Sequence, residues 1–135
     1  MAISMDMKYT ALYWALRFVE NELDVHVKEY SGYKIIIDAE KQSVNYGDKI
    51  KVIGEELNFL KRHKDFVILE CVDRLLLKGY KPIDIVLDGR ENCPDIVLNG
   101  NIEIYCEQWG KGYVLATKTF NPDKNNSILY TSRLV

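Results

Sequence analysis

The chain has 135 residues, of which 47% are hydrophobic and 28% are charged. This length and composition can bury a core without disulfides or a structural metal, so we expect one domain over residues 1–135. No apolar run approaches the roughly 18 residues that cross a bilayer, and the N-terminus lacks the charged-then-apolar pattern of a leader. We therefore expect a cytoplasmic protein with no membrane partner.

The cysteines and histidines exclude two further classes of protein. Cys71, Cys93 and Cys106 are odd in number and far apart, which is not typical of a disulfide framework or of a zinc knuckle. His26 and His63 have no metal-ligand spacing to any other residue. We expect three ordinary reduced thiols.

The first third of the chain predicts a helix followed by a hairpin. Apolar residues recur at three- and four-residue steps across residues 5–23, as they do on the buried face of a helix. Residues 24–30 alternate between polar and apolar, a Ser-Gly turn follows, and residues 33–39 return as a second strand. Residues 40–53 are ambiguous, with a short strand favoured at 49–53.

The middle of the chain predicts two helices and a strand. Residues 54–63 fit a short amphipathic helix that turns its leucines inward, and residues 66–78 fit a longer helix. Asp65 is the expected N-cap of the longer helix, and Gly79 is its expected stop. A strand is expected over residues 83–87.

The last third predicts a series of strands. Residues 94–98 and 102–109 are expected to pair across a turn at residues 99–101. Residues 113–120 and 128–135 are rich in β-forming residues and predict two more strands. The whole series predicts an α+β fold with an N-terminal helix, a central mixed β-sheet flanked by helices, and a β-rich C-terminus.

Acidic and basic residues are segregated, although the formal net charge is only −2. Residues 84–107 contain six acids and one arginine, a net charge of −5, and residues 110–135 contain four bases and one acid, a net charge of +3. An acidic cluster beside a basic flank is typical of a metal site that meets a phosphate backbone, and equally of a solvated surface. The Lys-Arg-His-Lys run at residues 61–64 is interpreted as a solvated connection.

A motif lies within residues 66–109. Its parts are Glu70 in the helix, Pro94-Asp95 at the start of a strand, and the run Glu-Ile-Tyr-Cys-Glu-Gln-Trp-Gly at residues 103–110. This series resembles the PD-(D/E)XK nuclease superfamily. The resemblance implies a Mg²⁺-dependent DNA endonuclease, with Mn²⁺ as an alternative metal. Asp95 and Glu103 would hold the metal, and Glu70 would complete the site.

The lysine that usually ends this motif is missing. Counted from Glu103, the lysine position holds Tyr105. Counted back from Trp109, the acid and lysine positions hold Tyr105 and Glu107. Some restriction enzymes of the superfamily carry a glutamate in place of the lysine and still cut, so Tyr105 and Glu107 stay in the candidate catalytic set. Lys111 is a lysine beyond the strand that could reach the site.

The turn at residues 99–101 decides whether the carboxylates of the motif meet. A two-residue turn would place Asp95 opposite Ile104 and on the other face from Glu103. A three-residue loop would place Asp95 opposite Tyr105 and on the same face as Glu103. We favour the three-residue loop, with its last residue in the left-handed conformation, because it also gathers the aliphatic residues on one face.

Two other interpretations stay open. The missing lysine fits a catalytically inactive nuclease fold that binds nucleic acid or serves as a structural or protein-interaction subunit. The Pro-Asp pair also fits a chance occurrence in an unrelated α+β scaffold. If the chain acts on nucleic acid, we expect DNA as the partner and a homodimer as the assembly. The expected phosphate contacts are then Lys111, Lys118, Lys124 and Arg133.

Overall fold

The computed structural model describes residues 12–91, 93–106 and 126–131. Within them the chain forms an α+β fold that is rich in strands, as the sequence predicts. The strands are β1 Val19–Glu22, β2 Val25–Tyr30, β3 Tyr33–Asp38, β4 Ser43–Asn45, β5 Lys51–Ile53, β6 Ile85–Asp88, β7 Ile96–Leu98, β8 Ile102–Cys106 and β9 Ser127–Tyr130. The long helix is α1, His63–Leu77.

The strands form two sheets rather than the one central sheet that we expected. The first sheet has the order β1-β2-β3-β4, and all its pairs are antiparallel. The predicted hairpin at its centre is confirmed, because Tyr30 pairs with Tyr33 around the Ser-Gly turn. Gly32 has a φ of 73° there, a backbone conformation that suits glycine.

The prediction of a helix that continues to residue 23 is wrong. Among the described residues, 12–15 are helical, and Arg17 then adopts a φ of 68° that ends the helix. The chain continues as β1, an edge strand that pairs with β2. Val19 and Leu23, which extended the helical spacing, are 65% and 86% exposed.

The second sheet has the order β5-β6-β7-β8-β9 and mixes both directions. β6, β7 and β8 form an antiparallel meander, whereas β5 pairs with β6 and β8 pairs with β9 in parallel. A parallel pair needs a long crossover connection. Helix α1 lies within the crossover from β5 to β6, and residues 107–125, in the crossover from β8 to β9, lie outside the described residues. The strand predicted at 113–120 therefore lies outside them too.

Helix α1 begins three residues earlier than predicted and contacts both sheets. Asp65 is not its N-cap, since its carboxylate accepts the backbone N–H of Arg62 from one turn inside, at 2.8 Å. Gly79 follows the helix with a φ of 97°, which confirms the predicted stop. Eleven of the fifteen residues of α1 are buried, so the helix is covered on more than one side.

Three shorter predictions need correction. The helix expected over residues 54–63 is only a 3₁₀ turn at Glu55–Asn58, although Leu57 and Leu60 are buried as expected. The strand expected from residue 83 begins only after a second 3₁₀ turn, Pro82–Asp84, because the proline favours a tight turn. The ambiguous stretch 40–53 contains β4 and β5. One hydrophobic cluster joins residues of both sheets with α1.

Candidate functional site

The β7–β8 hairpin has the three-residue loop that we favoured. Leu98 pairs with Ile102, which leaves residues 99–101 as the loop. The left-handed residues are Asn99 and Gly100, with φ values of 54° and 76°, so the prediction that the last loop residue is left-handed is wrong. The same register, continued by one residue, places Asp95 opposite Tyr105.

Asp95 directly precedes β7 and is 2% exposed. Its Oδ1 atom is 3.0 Å from the Nζ atom of Lys64, whose side chain is only 12% exposed. Its Oδ2 atom accepts the backbone N–H of Cys106 at 2.8 Å. The first turn of α1 thus supplies a buried ammonium group to the Asp of the motif. The run at residues 61–64 is therefore only in part the solvated connection that we expected, because Lys61 and Arg62 are exposed whereas Lys64 is packed against Asp95.

Glu70 is completely buried in α1 and is bound from the second sheet. The hydroxyl group of Tyr130, in β9, donates a hydrogen bond to Oε2 of Glu70. Burial and this carboxylate raise the pKa of Tyr130 well above its ordinary value, so its hydroxyl keeps its proton and acts as a donor. Glu70 therefore does not lie on the protein surface, where a helical glutamate usually lies.

A pair of buried thiols lies beside both of these contacts. Cys71 of α1 and Cys106 of β8 are hydrogen-bonded to each other, and this contact and burial raise the pKa of Cys106 well above its ordinary value. Asp95 and Lys64 also act electrostatically on Cys106, while Cys71 acts on Tyr130. The thiols therefore neighbour the Asp95–Lys64 pair as well as the Glu70–Tyr130 pair.

Glu103 belongs to a different set of contacts. It is half-buried, and its Oε1 atom lies 3.4 Å from the hydroxyl of Tyr105 and 3.5 Å from the hydroxyl of Ser127. The register places Glu103 on the strand face expected for it, yet the contacts found for Asp95 are to α1 and to the backbone of β8. A shared metal site of Asp95 and Glu103 stays a prediction.

Two arginine–carboxylate pairs at this end of the second sheet were missed by the sequence reasoning. Arg62 Nη2 lies 2.8 Å from Asp65 Oδ1, and Arg90 Nη2 lies 2.8 Å from Asp88 Oδ2. The Arg90 guanidinium lowers the pKa of Asp88 to about 2. The backbone N–H of Asp88 donates to the carbonyl of Asp95 at 2.9 Å. The short Arg-x-x-Asp and Asp-x-Arg spacings were the available signal.

Several predicted residues lie outside the described residues. They are Glu107, Lys111, Lys118, Lys124 and Arg133. Within the described ranges, no three acidic, histidine or cysteine side chains gather closely enough to hold a metal ion. In the same ranges, no helix is long and apolar enough to cross a membrane.

Comparisons with known proteins identify no relative. No protein-family model, no curated protein and no solved structure matches the chain. Inferences about its function therefore depend on the residues and contacts of the chain itself.

Proposed function

We propose that the protein is a Mg²⁺-dependent DNA endonuclease of the PD-(D/E)XK type, in which Lys64 replaces the missing lysine of the motif. The observation that carries the proposal is the distance of 3.0 Å between Lys64 Nζ and Asp95 Oδ1, in a pair that is almost entirely buried. Removing two charges from water is costly, and a buried ion pair is weak evidence for stability, which favours a functional role for this pair.

The order of the elements supports the same proposal. Helix α1 is followed by the antiparallel meander β6-β7-β8 and then by β9, which pairs in parallel with β8. The resemblance implies a helix before the acidic strands and a helix and another strand after them, and residues 107–125, where the second helix would lie, are outside the described residues. The Asp95 end of β7 lies beside the last described residue of β8, and Glu107 follows that residue in the sequence.

The carboxylates of the site suit Mg²⁺, which accepts one or two protein carboxylates and keeps several waters. Asp95 is the primary ligand, and the second would come from Glu103 or Glu107. When bound, the ion neutralises phosphate charge and lowers the pKa of a coordinated water.

The described residues have distinct roles in this proposal. Lys64 presents an ammonium group beside Asp95, where it would stabilise the negative charge that develops on the phosphate oxygens. Tyr130 keeps the buried Glu70 in one orientation through its hydroxyl group. The N–H of Cys106 fixes the orientation of the Asp95 carboxylate. These contacts would preorganise the site before substrate binds.

The test combines calorimetric titration of Mg²⁺ and Mn²⁺ with a plasmid-nicking assay on the same samples. Asp95→Asn should lose both metal binding and nicking. Lys64→Met should still bind the metal and should nick about 100-fold more slowly, since one electrostatic stabiliser is removed. Lys78→Met, which removes an exposed lysine at the other end of α1, is the matched control. Equal nicking by Lys64→Met and this control would refute the role of Lys64.

A second candidate function follows from Tyr105. The residue opposite Asp95 is a buried tyrosine rather than a carboxylate, which fits a nuclease fold that binds DNA or a partner protein without cutting. Wild-type protein that binds a DNA duplex but neither takes up Mg²⁺ nor nicks would establish this alternative. Absence of both metal and DNA binding would point to a protein partner.

We also propose a homodimer in the cytoplasm. Two copies related by a two-fold axis, the commonest symmetry of homo-oligomers, would present one site to each strand of a duplex. The three cysteines are free thiols, which suits a reducing compartment. Light scattering at micromolar concentration measures the mass, and a monomer in the presence of DNA would refute the dimer.

A further inference from the structure

In the pairs Arg62–Asp65 and Arg90–Asp88, the arginine is exposed and the carboxylate is buried. The side chains of Arg62 and Arg90 are 55% and 64% exposed, whereas those of Asp65 and Asp88 are 3% and 6% exposed. Each guanidinium uses Nε and Nη2 to bind its carboxylate. The positive groups therefore face solvent in fixed orientations, and the negative groups that hold them are buried.

The segments that carry the two arginines lie near one common side chain, Glu56. Glu56 acts electrostatically on Arg62, and so does Asp95. A side chain on Gly89 would collide with the carboxylate of the same Glu56, and Gly89 directly precedes Arg90. Glu56 therefore lies close to both arginine segments, and Asp95, which directly precedes β7, also acts on Arg62.

We propose that Arg62 and Arg90 bind phosphate groups of a DNA duplex that crosses this end of the second sheet. A planar guanidinium that a buried carboxylate already orients loses little side-chain entropy when it binds a phosphate. Its donors match phosphate oxygens in geometry. Glu56, which is exposed near both arginine segments, weakens this binding by repelling phosphate. The inference rests on the proposed function and adds the substrate contacts that hold DNA over Asp95.

The experiment measures binding of a short fluorescent DNA duplex in EDTA over a range of KCl concentrations. Arg62→Gln and Arg90→Gln should each lower the salt slope by about 0.9 and the affinity at 0.1 M salt by about 5- to 10-fold. Glu56→Gln should raise the affinity several-fold. Lys41→Gln removes an exposed charge from the turn between β3 and β4 in the first sheet and should bind as wild type does. Arginine variants that match Lys41→Gln would overturn the inference.

Two controls distinguish a loss of DNA binding from a loss of folding and from a change in cleavage. Far-UV circular dichroism with thermal unfolding verifies each variant, and Arg62→Lys retains the charge if Arg62→Gln does not fold. Because EDTA excludes cleavage, the binding result does not depend on the nuclease activity. Nicking by wild type, with arginine variants that bind as the control does, would refute only the arginine contacts. Arginine-dependent binding without nicking in Mg²⁺ would refute only the nuclease proposal.

Discussion

Replacing Lys64 by methionine removes one partner of the buried pair and leaves the other in place. Lys64 is 3.0 Å from Asp95, and the two side chains are 12% and 2% exposed. Breaking a buried ion pair from one side costs about 3 to 5 kcal/mol, because an uncompensated charge stays in the interior. The N–H of Cys106 still binds the carboxylate at 2.8 Å, so we expect the lower end, about 3 kcal/mol.

Urea unfolding at pH 7 measures this loss, with Lys78→Met as the control for removal of an exposed lysine that directly follows the same helix. Adding Asp95→Asn to Lys64→Met should recover most of the loss, because the buried charge is then gone. A Lys64→Met variant within about 1 kcal/mol of the control would mean that the pair behaves as an exposed one. A double mutant that is no more stable than Lys64→Met would show that packing, and not charge, is responsible.

Two further predictions follow from the pKa shifts. The pKa of Asp88 falls from 3.8 to about 2 in the folded protein, so its pair with Arg90 stabilises the fold above the unfolded-state pKa and loses this effect as the pH falls through about 2. The stability difference between wild type and Arg90→Gln should therefore shrink from pH 5 to pH 2, and a constant difference over that range in urea unfolding would contradict the shift. Cys71 and Cys106 are buried and Cys93 is partly exposed, so a disulfide reagent should modify only one of these three thiols quickly in the folded protein, and fast reaction of two would refute the burial.

The sequence predicts those hairpins in which the apolar residues share one face in only one strand register. The β2–β3 hairpin and the three-residue loop between β7 and β8 are such cases, because a slip of one residue would expose every aliphatic side chain. The N-terminal segment is the opposite case. Val19 and Leu23 continue a helical spacing by coincidence, and the left-handed Arg17 that ends the helix has no local signal.

The candidate site was also predictable only in part from the sequence. The motif predicts Asp95, Glu70 and their positions on a strand and a helix, because these depend on local order in the chain. The partners of the two acids come from distant segments, Lys64 from the start of α1 and Tyr130 from β9. Neither partner has a spacing to its acid that a strand or a helix would impose. Only the tertiary fold defines them.

The two proposed functions make different demands on the ion pair of Asp95 and Lys64. A nuclease needs the Asp95 carboxylate to accept a metal ion, whereas a structural core needs it only to neutralise Lys64. In a purely structural pair, replacing both residues by apolar side chains of similar size should be neutral or stabilising and should leave DNA binding unchanged. In a working site the same double replacement abolishes metal binding while the fold persists. The Lys64→Met/Asp95→Leu variant, measured by urea unfolding and Mg²⁺ calorimetry against wild type, therefore distinguishes a pair kept for chemistry from a pair kept for stability.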